Sequence, residues 1–225
     1  MKPLEACQLY TFVDTAYLAG RDPVDIARQL CDGGSDLVQI RAKNLAEDEV
    51  RRMAERVVPV VRQAGVGLVL NDHWAVAAEV GADFCHLGQE DFFDAGHRRS
   101  SDLFASGVRP RLGLSSHAPD QARMAMEAGA DYIAIGPVYA TGTKPGARPV
   151  TLDYVRWARR HVAVPWFAIG GINLDTLESV LEAGAERVCV VSALLNSANV
   201  RAACETLRRR LPPLSKSPRQ DAPRR

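Results

Sequence analysis

A short pattern returns along this chain at intervals of about 50 residues: Glu79, Gly81 and Asp83, then Glu127, Gly129 and Asp131, then Glu182, Gly184 and Glu186. A looser copy is Asp32, Gly34 and Asp36. Glycine enters the left-handed backbone region that ends a helix without a steric penalty, and the small residue and acid that follow lead into a short apolar run. Self-similarity at a fixed period marks an architecture built from repeated units. Each interval has room for two βα units, so four copies imply eight. Right-handed crossovers between parallel strands would curl eight units into a closed (β/α)8 barrel, an α/β fold of TIM-barrel type. An open, doubly wound parallel sheet is the alternative.

The hydrophobic pattern supplies the same count. Apolar runs that read as strands fall at 8–13, 36–40, 67–70, 83–87, 111–114, 132–135, 166–169 and 187–191. Segments of helical periodicity fall at 23–31, 46–64, 74–79, 96–106, 120–128, 151–161, 174–182 and 199–210, the fourth having the poorest apolar face. Residues 1–211 form a single domain in this reading, and the proline-rich, polar, arginine-ending stretch 212–225 reads as a disordered tail. A formal net charge of +1 gives no overall field for nucleic acid or an anionic membrane, so an anion must be recognised by charges placed locally. The chain has no apolar run long enough to span a bilayer. Its 5 cysteines are dispersed and never spaced as CxxC, which points to buried thiols in a reducing, cytoplasmic setting.

In a barrel of this kind chemistry sits on the loops that follow the strands, opposite the glycine turns. Strand alternation places Gln39, Arg41 and Lys43 on one side of the second strand end; an amide, a guanidinium and an ammonium facing one cavity suit a polyphosphate. The third strand ends in Asn71 and Asp72, the fourth leads to Asp91, and carboxylates from neighbouring strand ends can share a Mg²⁺ with phosphate oxygens. Asp72 also fits a helix N-cap before Trp74. Ser115 is a candidate phosphate donor after the fifth strand, whereas His117 reads as a hydrogen-bonded loop residue and His73 and His86 have no companion at ligand spacing. The loop 136–146 is long, with Thr141, Thr143 and Lys144 on a glycine-hinged segment that suits a lid over phosphate. Gly170 and Gly171 after the seventh strand, and Val191 and Ser192 at a helix start after the eighth, form a recurrent phosphate-binding arrangement.

In order and spacing, the motifs Gln39 to Lys43, Asn71 with Asp72, Gly88 to Asp91, Gly113 to Ser115, Thr141 to Lys144, Gly170 to Ile172 and Val191 with Ser192 resemble the thiamine phosphate synthase family, over about Leu9 to Leu211. Ile40, His73 and Ala118 depart from its usual pattern. The resemblance implies an enzyme joining 4-amino-2-methyl-5-hydroxymethylpyrimidine diphosphate to a hydroxyethylthiazole phosphate, carboxylated in some members, with release of pyrophosphate. It implies that Gln39, Arg41, Lys43, Asn71, Ser115 and Lys144 hold the pyrimidine diphosphate, with Arg41, Lys43 and Lys144 catalytic. Asp72 and Asp91 would bind Mg²⁺, and Thr141, Thr143, Gly170, Val191 and Ser192 the thiazole phosphate. The partners are then small phosphorylated molecules, not nucleic acid or membrane, and assembly into a homo-oligomer stays open. A thiazole tautomerase of the same family and a non-catalytic phosphate sensor are the competing functions. The tautomerase would need the thiazole phosphate site but not both the acidic pair and the cationic motif, and the sensor would leave the acidic pair without a purpose.

Overall fold

The computed structural model describes residues 1–103, 110–143 and 146–215. Its strands are β1 (Leu9–Asp14), β2 (Leu37–Arg41), β3 (Gly67–Asn71), β4 (Phe84–Leu87), β5 (Arg111–Ser116), β6 (Tyr132–Ile135), β7 (Trp166–Ile169) and β8 (Val188–Val190). They pair in chain order, all parallel, and β1 also pairs with β8 through Leu9 with Val188 and Thr11 with Val190. That last pairing closes the barrel and sets the open sheet aside. The helices are α1 (Pro23–Asp32), α2 (Glu47–Gln63), α3 (Trp74–Glu79), α4 (Gln89–Asp94), α5 (Pro119–Glu127), α6 (Thr151–His161), α7 (Leu177–Glu182), α8 (Ser192–Leu195) and α9 (Val200–Arg210). Among the described residues no helix is long and apolar enough to cross a membrane.

The recurring motif has a double purpose. Gly34, Gly81, Gly129 and Gly184 stand at φ of 91°, 65°, 79° and 101°, the left-handed conformation that turns each chain out of its helix. Three of the acids then staple one strand to the one before it. Asp36 accepts from the backbone N–H of Gln8 and Leu9 at 2.6 and 3.0 Å, Asp83 from Leu68 at 2.8 Å, and Asp131 from Leu112 at 2.8 Å. An N–H at a strand start that was buried without a partner would cost about 1–3 kcal/mol, which is why an acid recurs there. Because the staple joins strands in twos, its period is two βα units. Glu186 breaks the series and turns to Arg159 at 3.3 Å and the Ser215 hydroxyl at 2.5 Å.

Strand positions agree with the hydrophobic runs to within a residue or two. The helix expected over 96–106 is a correction. The helix after β4 is α4, immediately beyond Gly88, followed by a 3-10 turn at Ser100–Asp102; residues 104–109 are not described. With six residues and one fully buried anchor, Phe92, α4 is too short to show a period. The seventh helix likewise begins at Leu177 and not at 174, because the Asn173 side chain accepts from the N–H groups of Asp175 and Thr176 in a turn that leaves Leu174 exposed. Of the stretch assigned to a tail, Pro212 accepts from the Gln8 amide at 2.7 Å, and residues 216–225 are not described.

The barrel interior is aromatic below and polar above. Tyr10, Phe84, Tyr132 and Phe167 meet edge to face, with ring centroids 5.4–5.8 Å apart. Gly113 is demanded by this layer, since a Cβ there would fall on the Tyr132 ring. Residues one alternation further along the same strands line the mouth.

Candidate active site

A cavity of about 380 Å³ opens at the C-terminal end of the strands. It gathers every described residue picked out from the sequence: Gln39 and Arg41 from β2 with Lys43 just beyond it, Asn71 at the end of β3 with Asp72 after it, Asp91 from α4, Ser115 from β5, Thr141 and Thr143 from the loop after β6, Gly170 after β7, and Val191 with Ser192 after β8. Lys144 lies outside the described residues. One enclosure lined from every strand is what a closed ring of short strands produces and an open sheet does not.

Both described cations are held by carboxylates. Arg41 lies 2.8 Å from Asp14, a buried acid at the end of β1, and donates to the Thr143 carbonyl at 3.2 Å. Lys43 lies 3.3 Å from Asp72. Asp72 is in the left-handed region at φ 66°, an uncommon conformation that Asp tolerates better than most residues. It is not the cap residue of α3: His73 holds that position, and its side chain makes no capping hydrogen bond. The carboxylate is therefore left to the cavity. The carboxylate of Asp91 folds back over Gly88, in space that a Cβ at that glycine would fill. Two hard oxygen donors from adjacent strand ends, beside cations that attract phosphate, are a donor set that fits Mg²⁺. Ser115 accepts from the Gln89 N–H at 3.1 Å, which leaves its own hydroxyl hydrogen for a ligand.

The opposite arc is built from backbone. Gly170 and Gly171 stand at φ 102° and 64°, and Cβ atoms there would strike Pro137 and Tyr139. These glycines let the segment after β6 lie against the end of β7, where Val138 and Tyr139 donate to Ile169 and Gly170 at 2.8 and 3.1 Å. Ser192 opens α8 and lines the mouth together with Gly170, and the first N–H groups of a helix have no partners within it. Thr143 is bracketed from the far side by the Tyr17 hydroxyl at 3.2 Å.

The cavity floor was not read from the sequence. Tyr10, Phe12 and His86 line it. Burial, helped by the Lys43 charge and opposed by Asp72, pushes His86 down to about 4, so the ring is neutral near pH 7. The signal was strand parity: Phe12 is the register partner of Gln39, and His86 of Asn71, so each faces the same interior. His117 donates from Nδ1 to the Gly136 carbonyl, as expected of a hydrogen-bonded loop histidine.

The family model for thiamine monophosphate synthase matches residues 9–194. A thiamine-phosphate synthase of Thermus thermophilus is 43% identical over 189 residues, covering 84% of this chain and 88% of that protein. One from Lawsonia intracellularis is 35% identical over 202 residues, covering 89% and 90%. The thiamine phosphate pyrophosphorylase of Pyrococcus furiosus superposes with a TM-score of 0.81 at 29% identity, over 92% of this chain and 96% of that one. The 3-hexulose-6-phosphate synthase structure, at 19% identity and a TM-score of 0.57, shares the fold alone. The barrel, the mouth motifs and these matches agree that this chain belongs to the thiamine monophosphate synthase family.

Proposed function

We propose that this chain is a thiamine-phosphate synthase that condenses 4-amino-2-methyl-5-hydroxymethylpyrimidine diphosphate with 4-methyl-5-hydroxyethylthiazole phosphate, or its carboxylated form, giving thiamine phosphate and pyrophosphate. The observation that carries the reading is one cavity lined by two chemically different arcs, side-chain cations and two acids from β2 to α4 and glycines with a helix start after β7 and β8, each of a kind that suits an anion.

Gln39, Arg41, Lys43, Asn71 and Ser115 hold the pyrimidine diphosphate, joined by Lys144. Thr141, Thr143, Gly170, Val191 and Ser192 hold the thiazole phosphate. Asp72 and Asp91 hold Mg²⁺, which supplies positive charge to the diphosphate oxygens when bound. The bond between the pyrimidine methylene carbon and the diphosphate oxygen breaks, and its electron pair leaves with pyrophosphate. Arg41, Lys43 and Lys144 meet that growing negative charge, while the aminopyrimidine ring spreads the positive charge left on the methylene. The thiazole nitrogen then donates its lone pair to form the new carbon–nitrogen bond. No protein nucleophile takes part, and with the uncarboxylated thiazole no proton needs to move; the carboxylated form must in addition release CO₂ and take up a proton at the carbon that carried the carboxylate. Phe12, Ile169 and Ile172 wall the centre of the cavity with apolar surface that keeps water from the cation.

Donors preorganised for a leaving group are worth about a hundredfold in turnover each. Single-turnover assays of folded Arg41→Ala, Lys144→Ala and Asp91→Ala should show losses of that order. The deciding experiment is the coupling assay with both purified substrates, with and without Mg²⁺. Mg²⁺-dependent appearance of thiamine phosphate supports the reading; tautomerisation of the carboxythiazole phosphate without coupling, or tight binding without turnover, overturns it.

A further inference from the structure

The hydroxyls of Ser115, Thr141 and Thr143 line the mouth, and each is met by a group of the protein that can donate to it. Ser115 accepts from the Gln89 N–H at 3.1 Å, Thr141 accepts from the Thr143 N–H at 3.3 Å, and the Thr143 hydroxyl lies 3.2 Å from the hydroxyl of Tyr17. The first two donors are backbone N–H groups, so their polarity is fixed. A hydroxyl that accepts from the protein keeps its own hydrogen for a ligand, and a phosphate dianion, which has only acceptors to offer, needs that hydrogen. The third contact joins two hydroxyls. A phenol is a better donor and a poorer acceptor than an aliphatic alcohol, so Tyr17 donates and Thr143 accepts, which gives Thr143 the same polarity as the other two.

Tyr17 does not line the cavity. It stands behind Thr143, in the connection between β1 and α1, and that connection is tied down. Arg21 donates from Nη2 to the Tyr17 carbonyl and to the Leu195 carbonyl of α8, each at 2.6 Å, and from Nε to the Leu18 carbonyl at 2.9 Å. The tyrosine is thereby fixed to the same short helix that Ser192 opens at the mouth. Its hydroxyl faces the segment after β6: a Cβ at Gly142 would lie 3.3 Å from it and within 4 Å of no other described atom outside the adjoining residues. Arg41 takes the Thr143 carbonyl at 3.2 Å, which holds the backbone of that residue from the diphosphate side and leaves the direction of its side chain to Tyr17.

We propose that Tyr17 is a positioning residue for the thiazole phosphate, holding Thr143 at the mouth and turning its hydroxyl hydrogen toward the phosphate oxygens. The proposal rests on the synthase reading. That phosphate neither gains nor loses charge while the carbon–nitrogen bond forms, so the contact is as strong before the reaction as at its transition state, and its loss falls on KM and not on kcat. The pyrimidine diphosphate is spared, because Arg41 keeps its carboxylate partner Asp14 whether or not the Tyr17 hydroxyl is present.

The test measures steady-state coupling by the full chain as wild type, Tyr17→Phe, Thr143→Val and the double variant, in the presence of Mg²⁺, with each substrate varied in turn. Phe keeps the ring at a half-buried position, so the fold is retained, and thermal melting checks this. Tyr17→Phe is expected to raise KM for the thiazole phosphate about fivefold, the size of one hydrogen bond, with kcat and the KM for the pyrimidine diphosphate within about twofold of wild type. In the Thr143→Val background the same change is expected to have no effect, since the group through which Tyr17 acts is gone. An unchanged or lower KM for the thiazole phosphate in Tyr17→Phe, a rise of equal size for both substrates, or additive losses in the double variant overturns the role of Tyr17 and leaves the synthase reading standing. Wild-type protein that forms no thiamine phosphate overturns that reading and the role of Tyr17 with it.

Discussion

A cation at the mouth of a cavity helps a leaving group only if it points one way, and Arg41 is held from two sides, by the buried carboxylate of Asp14 and by the Thr143 carbonyl. Asp14→Asn keeps the shape and removes the charge. It should cost about 3 kcal/mol in urea denaturation, as expected for breaking a largely buried pair, and lower kcat/KM by about tenfold through a misplaced guanidinium. Strand parity made Arg41 legible from sequence; Asp14 was not, because its partner comes from another strand and the pairing exists only once β1 and β2 lie side by side. His86 was passed over for a related reason, since its partners Tyr132 and Asp72 are brought to it by the barrel and not by spacing. Its pKa is lowered from 6.5 to about 4, so between those values the unfolded chain binds the extra proton and stability rises with pH. Metal-free protein should therefore hold this contribution in full above pH 6.5 and lose about 3 kcal/mol as pH falls toward 4. Denaturation midpoints of His86→Gln should show a shallower fall over that window.

At the scale of elements, the two ends of each strand carry different burdens. The recurring acids work at the end remote from the cavity, tying strand starts together. Asp131→Ala should lower stability by about 1–3 kcal/mol in urea denaturation, leaving the Leu112 N–H without its acceptor, while kcat and KM of the folded protein stay at wild-type values. The motif was legible because a period of two units leaves a regular mark in the sequence. What the acid does was not, since its partner belongs to another unit. The short helix α4 escaped for the opposite reason. It spans fewer than two turns, so its place is set by Gly88 and the burial of Phe92, neither of which leaves a helical period to read.

At the scale of the whole molecule, closure decides what can be felt from sequence. Counting eight apolar runs and four copies of a turn was enough to call for a ring, because a parallel strand needs covered faces and two neighbours. The cavity at the mouth, and the meeting of its two arcs, follow from closure and could not be assigned distances beforehand. The staples do not run evenly around that ring. They join β1 with β2, β3 with β4, and β5 with β6, whereas the acid before β8 faces Arg159 and Ser215. Strands β7 and β8 register at Ala168 with Val188 and Ile169 with Cys189. That seam should be the first to breathe, its amides exchanging with deuterium sooner than those of β1 and β2. The loops above it carry Gly170 and Ser192, so a thiazole phosphate seated there would span the seam from the top, as a keystone does an arch. Adding that ligand should slow exchange at β7 and β8 more than at any stapled pair, and equal slowing all round would count against this picture. The weakest joint in the ring would then be the one its own substrate closes.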